Sequence, residues 1–118
     1  MTIRTKRVYD SPARTDGYRV LVDRLWPRGI GKEEAALDEW RKDLAPSDEL
    51  RKWFGHDLER WSEFEQRYNS ELDAKKDAVA EMIARSRKRT ITLLYAAKDV
   101  EHNNAVVLKA FIETHLKP

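Results

Sequence analysis

Val20-Leu21-Val22 is a run of consecutive apolar residues that stops abruptly at Asp23-Arg24-Leu25-Trp26-Pro27-Arg28-Gly29. An unbroken apolar run bounded by turn residues suits a strand covered on both faces, as strands of parallel sheets are. Pro27 and Gly29 cannot continue it, so the strand ends where the polar residues begin. In an open α/β sheet, ligands bind beyond the carboxyl ends of the strands. A loop of two arginines, a carboxylate and an indole at that end marks the first place to look for function.

Two more segments read as strands. Thr2–Val8 alternates and is rich in β-formers, and Thr90-Ile91-Thr92-Leu93-Leu94-Tyr95 is the clearest strand pattern in the chain. The turn signals Asp10-Ser11-Pro12 and Asp16-Gly17 separate the first strand from Tyr18–Asp23. That connection is near the minimum for a parallel crossover, so the direction of the first strand stays open. Between the second and third strands lies a long helical stretch. Lys32–Lys42 suits a short helix with Ala35, Ala36, Leu37 and Trp40 inward. Ser47 suits an N-cap, followed by Asp48 and Glu49 at the positive end of a helix dipole, and Gly55 suits its end.

Leu58, Trp61, Phe64, Tyr68 and Leu72 then recur at helical spacing, extended by Val79, Met82 and Ile83. This stretch from Asp57 to about Lys88 forms either one helix or two broken near Asn69-Ser70. A stripe of this kind is ordinarily core, so Trp61, Phe64, Tyr68 and Leu72 are expected to line a helix face against the sheet. The final helix starts at Asn103 or Asn104 and is apolar around most of its circumference. Together these elements predict a single compact α/β domain over residues 1–118, with a small, mainly parallel sheet of about three strands covered by helices.

Composition excludes several classes. The 118 residues are 41% hydrophobic and 37% charged, which is neither a disordered chain nor one with a membrane-spanning run. No basic-then-apolar leader opens the sequence, and the expectation is a soluble, cytoplasmic protein of bacterial type. Without cysteine there is no disulfide, thiolate nucleophile or cysteine metal site. His56, His102 and His115 lack ligand spacing, so no metal site and no cofactor is expected. No phosphate-binding glycine fingerprint or nucleophile elbow is present.

Charge is unevenly spread: residues 1–32 carry a net +5, residues 33–84 a net −7 and residues 85–118 a net +4. Either the strand-end face attracts anions, or the acidic helices are simply well solvated. The second and third strands both end in polar loops, the latter in Ala96-Ala97-Lys98-Asp99 and His102-Asn103-Asn104. The long crossover between them predicts that they are parallel neighbours whose loops share one rim. That rim would gather Arg24, Arg28 and Lys98 as anion-binding cations, with Trp26 walling off an organic group, Gly29 allowing close approach and Asn103 opening the last helix. Asp23 and Asp99 are the candidate acid/base groups. Each also has a plain structural alternative: Asp23 as a cap or arginine partner, Trp26-Pro27 as a core plug, His102 as a cap or surface residue.

These motifs carry a resemblance. The Asp23-Arg24-Leu25-Trp26-Pro27-Arg28-Gly29 loop, the Leu44–Ser47 and Leu50–Phe54 segments with His56, the Trp61…Phe64…Tyr68…Glu71-Leu72 stripe and Thr92–Asp99 with Asn103 and Ala105 together resemble the short, YeaO-like branch of the domain of unknown function 488 family. The resemblance covers almost the whole chain and implies a compact α/β domain without an assigned activity. Longer members of that family place an Asp-Val-Arg…Pro-Arg-Ser loop after one strand and a Cys-His-Arg step at the start of the last helix. The first is similar to Asp23-Arg24…Pro27-Arg28, whereas the second falls near Asn103-Asn104, where cysteine and histidine are missing. Thiol chemistry is therefore not implied for this chain. Some short members are labelled transcriptional regulators, but no helix-turn-helix with a basic recognition helix is visible here.

The leading expectation is a binding domain or cryptic enzyme for an anionic small molecule carrying phosphate or a nucleotide. The alternatives are a nucleic-acid-associated protein using the same rim, or an interaction module presenting the Trp53-Phe54 or Trp61 region. No membrane partner is expected, and the oligomeric state is not legible.

Overall fold

A computed structural model describes residues 1–87 and 89–116. Four parallel strands form one sheet in the order β1-β4-β2-β3. They are β1 (Ile3–Arg7), β2 (Tyr18–Leu21), β3 (Glu39–Trp40) and β4 (Ile91–Tyr95). β4 is the central strand, pairing Ile3 with Ile91 through Arg7 with Tyr95 on one side and Tyr18 with Ile91 through Leu21 with Leu94 on the other. The open question of the first strand is settled: β1 runs parallel to β2, with β4 inserted between them. Burial follows this placement. Every residue of β4 is buried, whereas edge strand β1 keeps Arg4 exposed and Lys6 and Arg7 half-buried. Charged residues on an edge strand discourage pairing with another chain.

Among the described residues, five α-helices flank the sheet, the last four on one face and the first on the other. They are α1 (Lys32–Ala35), α2 (Asp48–Phe54), α3 (Trp61–Asp73), α4 (Lys76–Arg85) and α5 (Asn104–His115). Val20 and Leu93 of the sheet share the main core with Phe54, Phe64, Tyr68, Leu72, Met82 and Leu108 from α2 through α5. α5 packs on β1 and β4, and α3 packs chiefly on α5 and α2. The opposite face carries a smaller cluster of Val8, Leu21, Ala35 and Leu94, roofed by Trp26, Ile30, Leu37 and Trp40. Arg19 is buried on this side and held by the Asp16 carboxylate at 2.5 Å and the Ala35 and Ala36 carbonyls at 2.7 and 3.0 Å.

Three sequence expectations need correction. The helix read over Lys32–Lys42 is a single turn that ends in a left-handed Ala36 (φ 49°), and Glu39-Trp40 joins the sheet as a fourth strand beside Val20 and Leu21. Trp40 gains more there: its indole N–H donates to the Asp23 carbonyl at 2.8 Å. The long helical stretch is two helices, with the break at Ala74-Lys75 rather than near Asn69-Ser70; Lys88, at its expected end, lies outside the described residues. Leu58 belongs to a single 3-10 turn over Leu58–Arg60 and is 57% exposed, so the buried stripe begins at Phe64, with Trp61 half-buried at its edge.

The caps follow the reading. Ser47 Oγ accepts from the Leu50 N–H at 3.1 Å, Gly55 closes α2 at φ 53°, and Asn103 caps α5 by accepting from the Val106 N–H at 3.0 Å. Among the described residues, no helix is long and apolar enough to cross a membrane.

Candidate functional site

β2 and β4 are adjacent and parallel, so their carboxyl ends open side by side. From β2 the chain departs toward β3, and from β4 it turns back to α5 over β1 and β4. The strand order reverses between them, which leaves a crevice of the kind where open α/β sheets bind ligands. A cleft of about 810 Å³ occupies it, lined by the Asp23–Arg28 loop, the Ala96–Asp99 turn, the start of α5 and the end of α2. Its size is within the range of small-molecule sites, roughly 300–1,000 Å³. Asp23, Arg24, Trp26, Arg28, Lys98, Asp99 and Asn103 all line it; Gly29 stands just outside.

The arginine loop is braced from four directions. The Arg24 Nε–H donates to the Pro46 carbonyl at 3.0 Å, and the Trp26 indole N–H to the Ile30 carbonyl at 2.8 Å. The Tyr9 hydroxyl donates to the Arg28 carbonyl at 2.8 Å, and Trp40 holds the Asp23 carbonyl as described. Trp26 and Trp40 meet edge to face at 5.3 Å, a favoured aromatic geometry. Trp26 is thus half-buried as a wall, and Pro27 is buried beneath the loop. Gly29 has φ 74° with open space where a side chain would be, so its need for glycine is conformational rather than steric. The Arg28 side chain is left exposed at the end of this braced segment.

Asp23 extends the sheet with its side chain. Its Oδ2 accepts from the Ala96 N–H at 2.9 Å, and its Oδ1 from the Asn104 amide at 3.2 Å. The same amide donates to the Val22 carbonyl at 2.8 Å, so Asn104 ties α5 to the end of β2. Burial pushes the Asp23 carboxyl above the usual range; the two hydrogen bonds and the positive field of His56 oppose this without reversing it. Asp23 has no ion pair among the described residues. Asp99 behaves oppositely. The Glu101 N–H, then the His102 N–H and ring, outweigh its desolvation and hold its carboxyl below the usual range. It accepts from these backbone groups at 2.9 and 3.0 Å and faces His102 Nδ1 at 3.0 Å. His102 also meets the Trp61 ring edge to face at 5.1 Å.

Cations outnumber carboxylates around the cleft. Arg51 and Lys52 of α2 share Asp48 at 2.7 and 2.9 Å, but Arg24, Arg28 and Lys98 have no carboxylate partner among the described residues. Phe54 and Phe64 stack at 4.4 Å and supply an apolar wall. Reading by sequence missed several of these contributors. Arg51 and Lys52 were legible only as helix residues, Phe54 as a helix residue or part of an interaction surface, and Asn104 as part of the polar loop that starts the last helix. His56 carried one local signal, because it follows a glycine; it adopts φ 59°, a strained conformation for a non-glycine residue, and lines the cleft. No group of three or more His, Cys, Asp or Glu side chains placed to hold a metal occurs among the described residues.

A family model described as the inactive DUF488-N3 subclade matches residues 2–118. The chain belongs to the DUF488 family. It is 44% identical over 114 residues to the uncharacterized protein YeaO of Escherichia coli (strain K12), covering 97% of this chain and 99% of that protein. It is 42% identical over 106 residues to the uncharacterized protein Rv3073c of Mycobacterium tuberculosis (strain ATCC 25618 / H37Rv), covering 90% of this chain and 89% of that one. No solved structure matches. The YeaO-like relationship therefore spans the whole sheet and both rims of the cleft in this DUF488 domain.

Proposed function

We propose that this DUF488 domain is a binding module for an anionic small molecule, most simply one bearing a phosphate or a nucleotide, held in the cleft between β2 and β4. The observation that carries the reading is the set of three cations, Arg24, Arg28 and Lys98, lining a braced cleft with no carboxylate partner among the described residues. A guanidinium presented on a stiff loop suits bidentate contact with phosphate or carboxylate. Binding without turnover fits the chain's own chemistry. It has no cysteine to serve as a thiolate nucleophile. The subclade's description as inactive points the same way.

A phosphate-backbone ligand would use the same rim and is distinguished by salt: each neutralised backbone phosphate steepens the log–log salt slope by about 0.7–0.9, whereas a single ligand phosphate leaves it shallow. The interaction-module alternative draws less support. Phe54 is buried, and Trp53 is overlaid by the Arg67 guanidinium at 4.5 Å rather than left as an open apolar face.

The test is thermal stability with inorganic phosphate, phenyl phosphate and the nucleoside monophosphates. Arg28→Ala should shift unliganded stability by only about 0.5 kcal/mol, as exposed substitutions do, while sharply reducing the ligand-induced rise expected for the unaltered protein. A loss of about 3–5 kcal/mol in the variant, with no anion stabilising the unaltered protein, would mean the arginine is structural and would remove the reading.

A further inference from the structure

Asp23 is a group that a plain anion site does not need. It lines the same cleft as Arg24, Arg28 and Lys98, yet pairs with none of them among the described residues. Each of its oxygens accepts one hydrogen bond, from Ala96 and Asn104, and a carboxylate oxygen has room for two. One acceptor direction on each oxygen is therefore unused. The Ala96 bond ties the end of β2 to the turn after β4, and the Asn104 bond ties it to α5. Burial weighs against the charge, and a cationic donor brought to it is what most relieves that penalty. Trp26, Pro27, Phe54 and Phe64 add an apolar lining to the cleft that holds both charge types. Opposite charges set in one apolar-walled cleft are complementary to a ligand that carries both.

We propose that the cleft selects zwitterionic organic molecules, with the anionic group at Arg28 and Lys98, an amino group at Asp23, and an apolar body against Trp26 and Phe54. This rests on the anion-binding reading and narrows its ligand class. Asp23 then acts as a specificity-determining residue: it rejects doubly anionic ligands by repulsion and rewards an ammonium with a charge-assisted hydrogen bond.

The experiment compares benzyl phosphate with its meta- and para-aminomethyl derivatives by calorimetry on the full chain near neutral pH, with inorganic phosphate as the reference anion. At least one amine-bearing ligand should bind about ten-fold or more tighter than benzyl phosphate, the effect of a hydrogen bond to a charged group. In Asp23→Asn that preference should vanish, whereas Arg28→Ala should weaken all the organic ligands alike. Equal affinities in the unaltered protein overturn the zwitterion proposal and leave the anion reading standing. A preference that survives Asp23→Asn also overturns it. Failure of every ligand, inorganic phosphate included, removes both. Should Asp23→Asn not fold, the matched ligands on the unaltered protein still decide, because a structural Asp23 has no reason to prefer an amine.

Discussion

The Tyr68 side chain has no exposed surface, and its hydroxyl donates to the Leu44 carbonyl at 2.5 Å. Burial raises its pKa well above the usual tyrosine value, with Asp23 and Glu71 adding to the effect, so the phenol stays protonated and a donor. Tyr68→Phe keeps the ring and orphans the carbonyl, and should cost about 1–3 kcal/mol in urea denaturation. Two aspartates should give opposite pH signatures. Burial raises the Asp16 carboxyl, but the Ala13 N–H, Lys6 and Arg19 outweigh it and leave it below the usual value of 3.8. Its stabilising contribution is therefore present above that value and lost as pH falls through the folded-state pKa. Asp23 is raised, so its native state holds the proton more firmly. Its contribution is fullest below the unfolded value and declines as pH rises through the folded one. Denaturation across the acid range should thus show Asp16→Asn losing its deficit toward low pH. The pH-dependent penalty of Asp23 should be absent from Asp23→Asn.

Among the elements, α2 is anchored by a small network at its start. Ser47 caps it, while the Ser47 hydroxyl and N–H both reach Glu71 of α3, at 2.6 and 2.8 Å. Ser47→Ala removes the cap and one arm of the link to α3, and should destabilise by about 1–2 kcal/mol. Trp61 stands at the margin of the aromatic run, 5.8 Å from Phe54 and 5.5 Å from Phe64. Because it is only half-buried, Trp61→Ala should cost less than the 3–5 kcal/mol of a fully buried ring, about 1–3 kcal/mol in a chemical melt. Gly17, at the entry to β2, has φ 65°, and a side-chain carbon there would stand 2.2 Å from the Thr90 carbonyl oxygen. Gly17→Ala must push β2 away from the start of β4, so a melt should show a loss beyond the roughly 1 kcal/mol of an ordinary glycine change. The α3–α4 break coincides with a tertiary contact. Ala74-Lys75-Lys76 suits a continuing helix, but Lys75 leaves helical geometry (φ −118°, ψ 22°) and its ammonium donates to the Asp43 carbonyl at 2.7 Å.

At the scale of the molecule, inserting β4 between β1 and β2 brings residues from opposite ends of the chain to one cleft. Arg7 near the amino terminus donates to the Ala96 and Ala97 carbonyls at 3.2 and 3.0 Å, bracing the turn that carries Lys98. Arg7→Ala should therefore loosen that turn and weaken the proposed anion binding several-fold without touching the ligand, visible as a higher half-saturating phosphate concentration. Arg28→Ala should weaken the proposed binding more strongly, because it removes a cation from the ligand itself.

The local pattern alone determined the strands at Ile3–Arg7, Tyr18–Leu21 and Ile91–Tyr95, the caps at Ser47 and Asn103, the stop at Gly55 and the parallel pairing of β2 with β4. Apolar run length, cap chemistry and crossover length are all written in contiguous residues. The arginine loop was legible for the same reason, since Pro27 and Gly29 interrupt a strand next to charged side chains. Tertiary structure decided the rest. A two-residue strand at Glu39-Trp40 has too little pattern to read and exists because β2 offers it a partner and the Asp23 carbonyl needs a donor. The α3–α4 break likewise coincides with a contact to a distant carbonyl. The state of Asp23 depends on burial, on Ala96 and on Asn104, groups more than seventy residues away that only the folded sheet brings to its side.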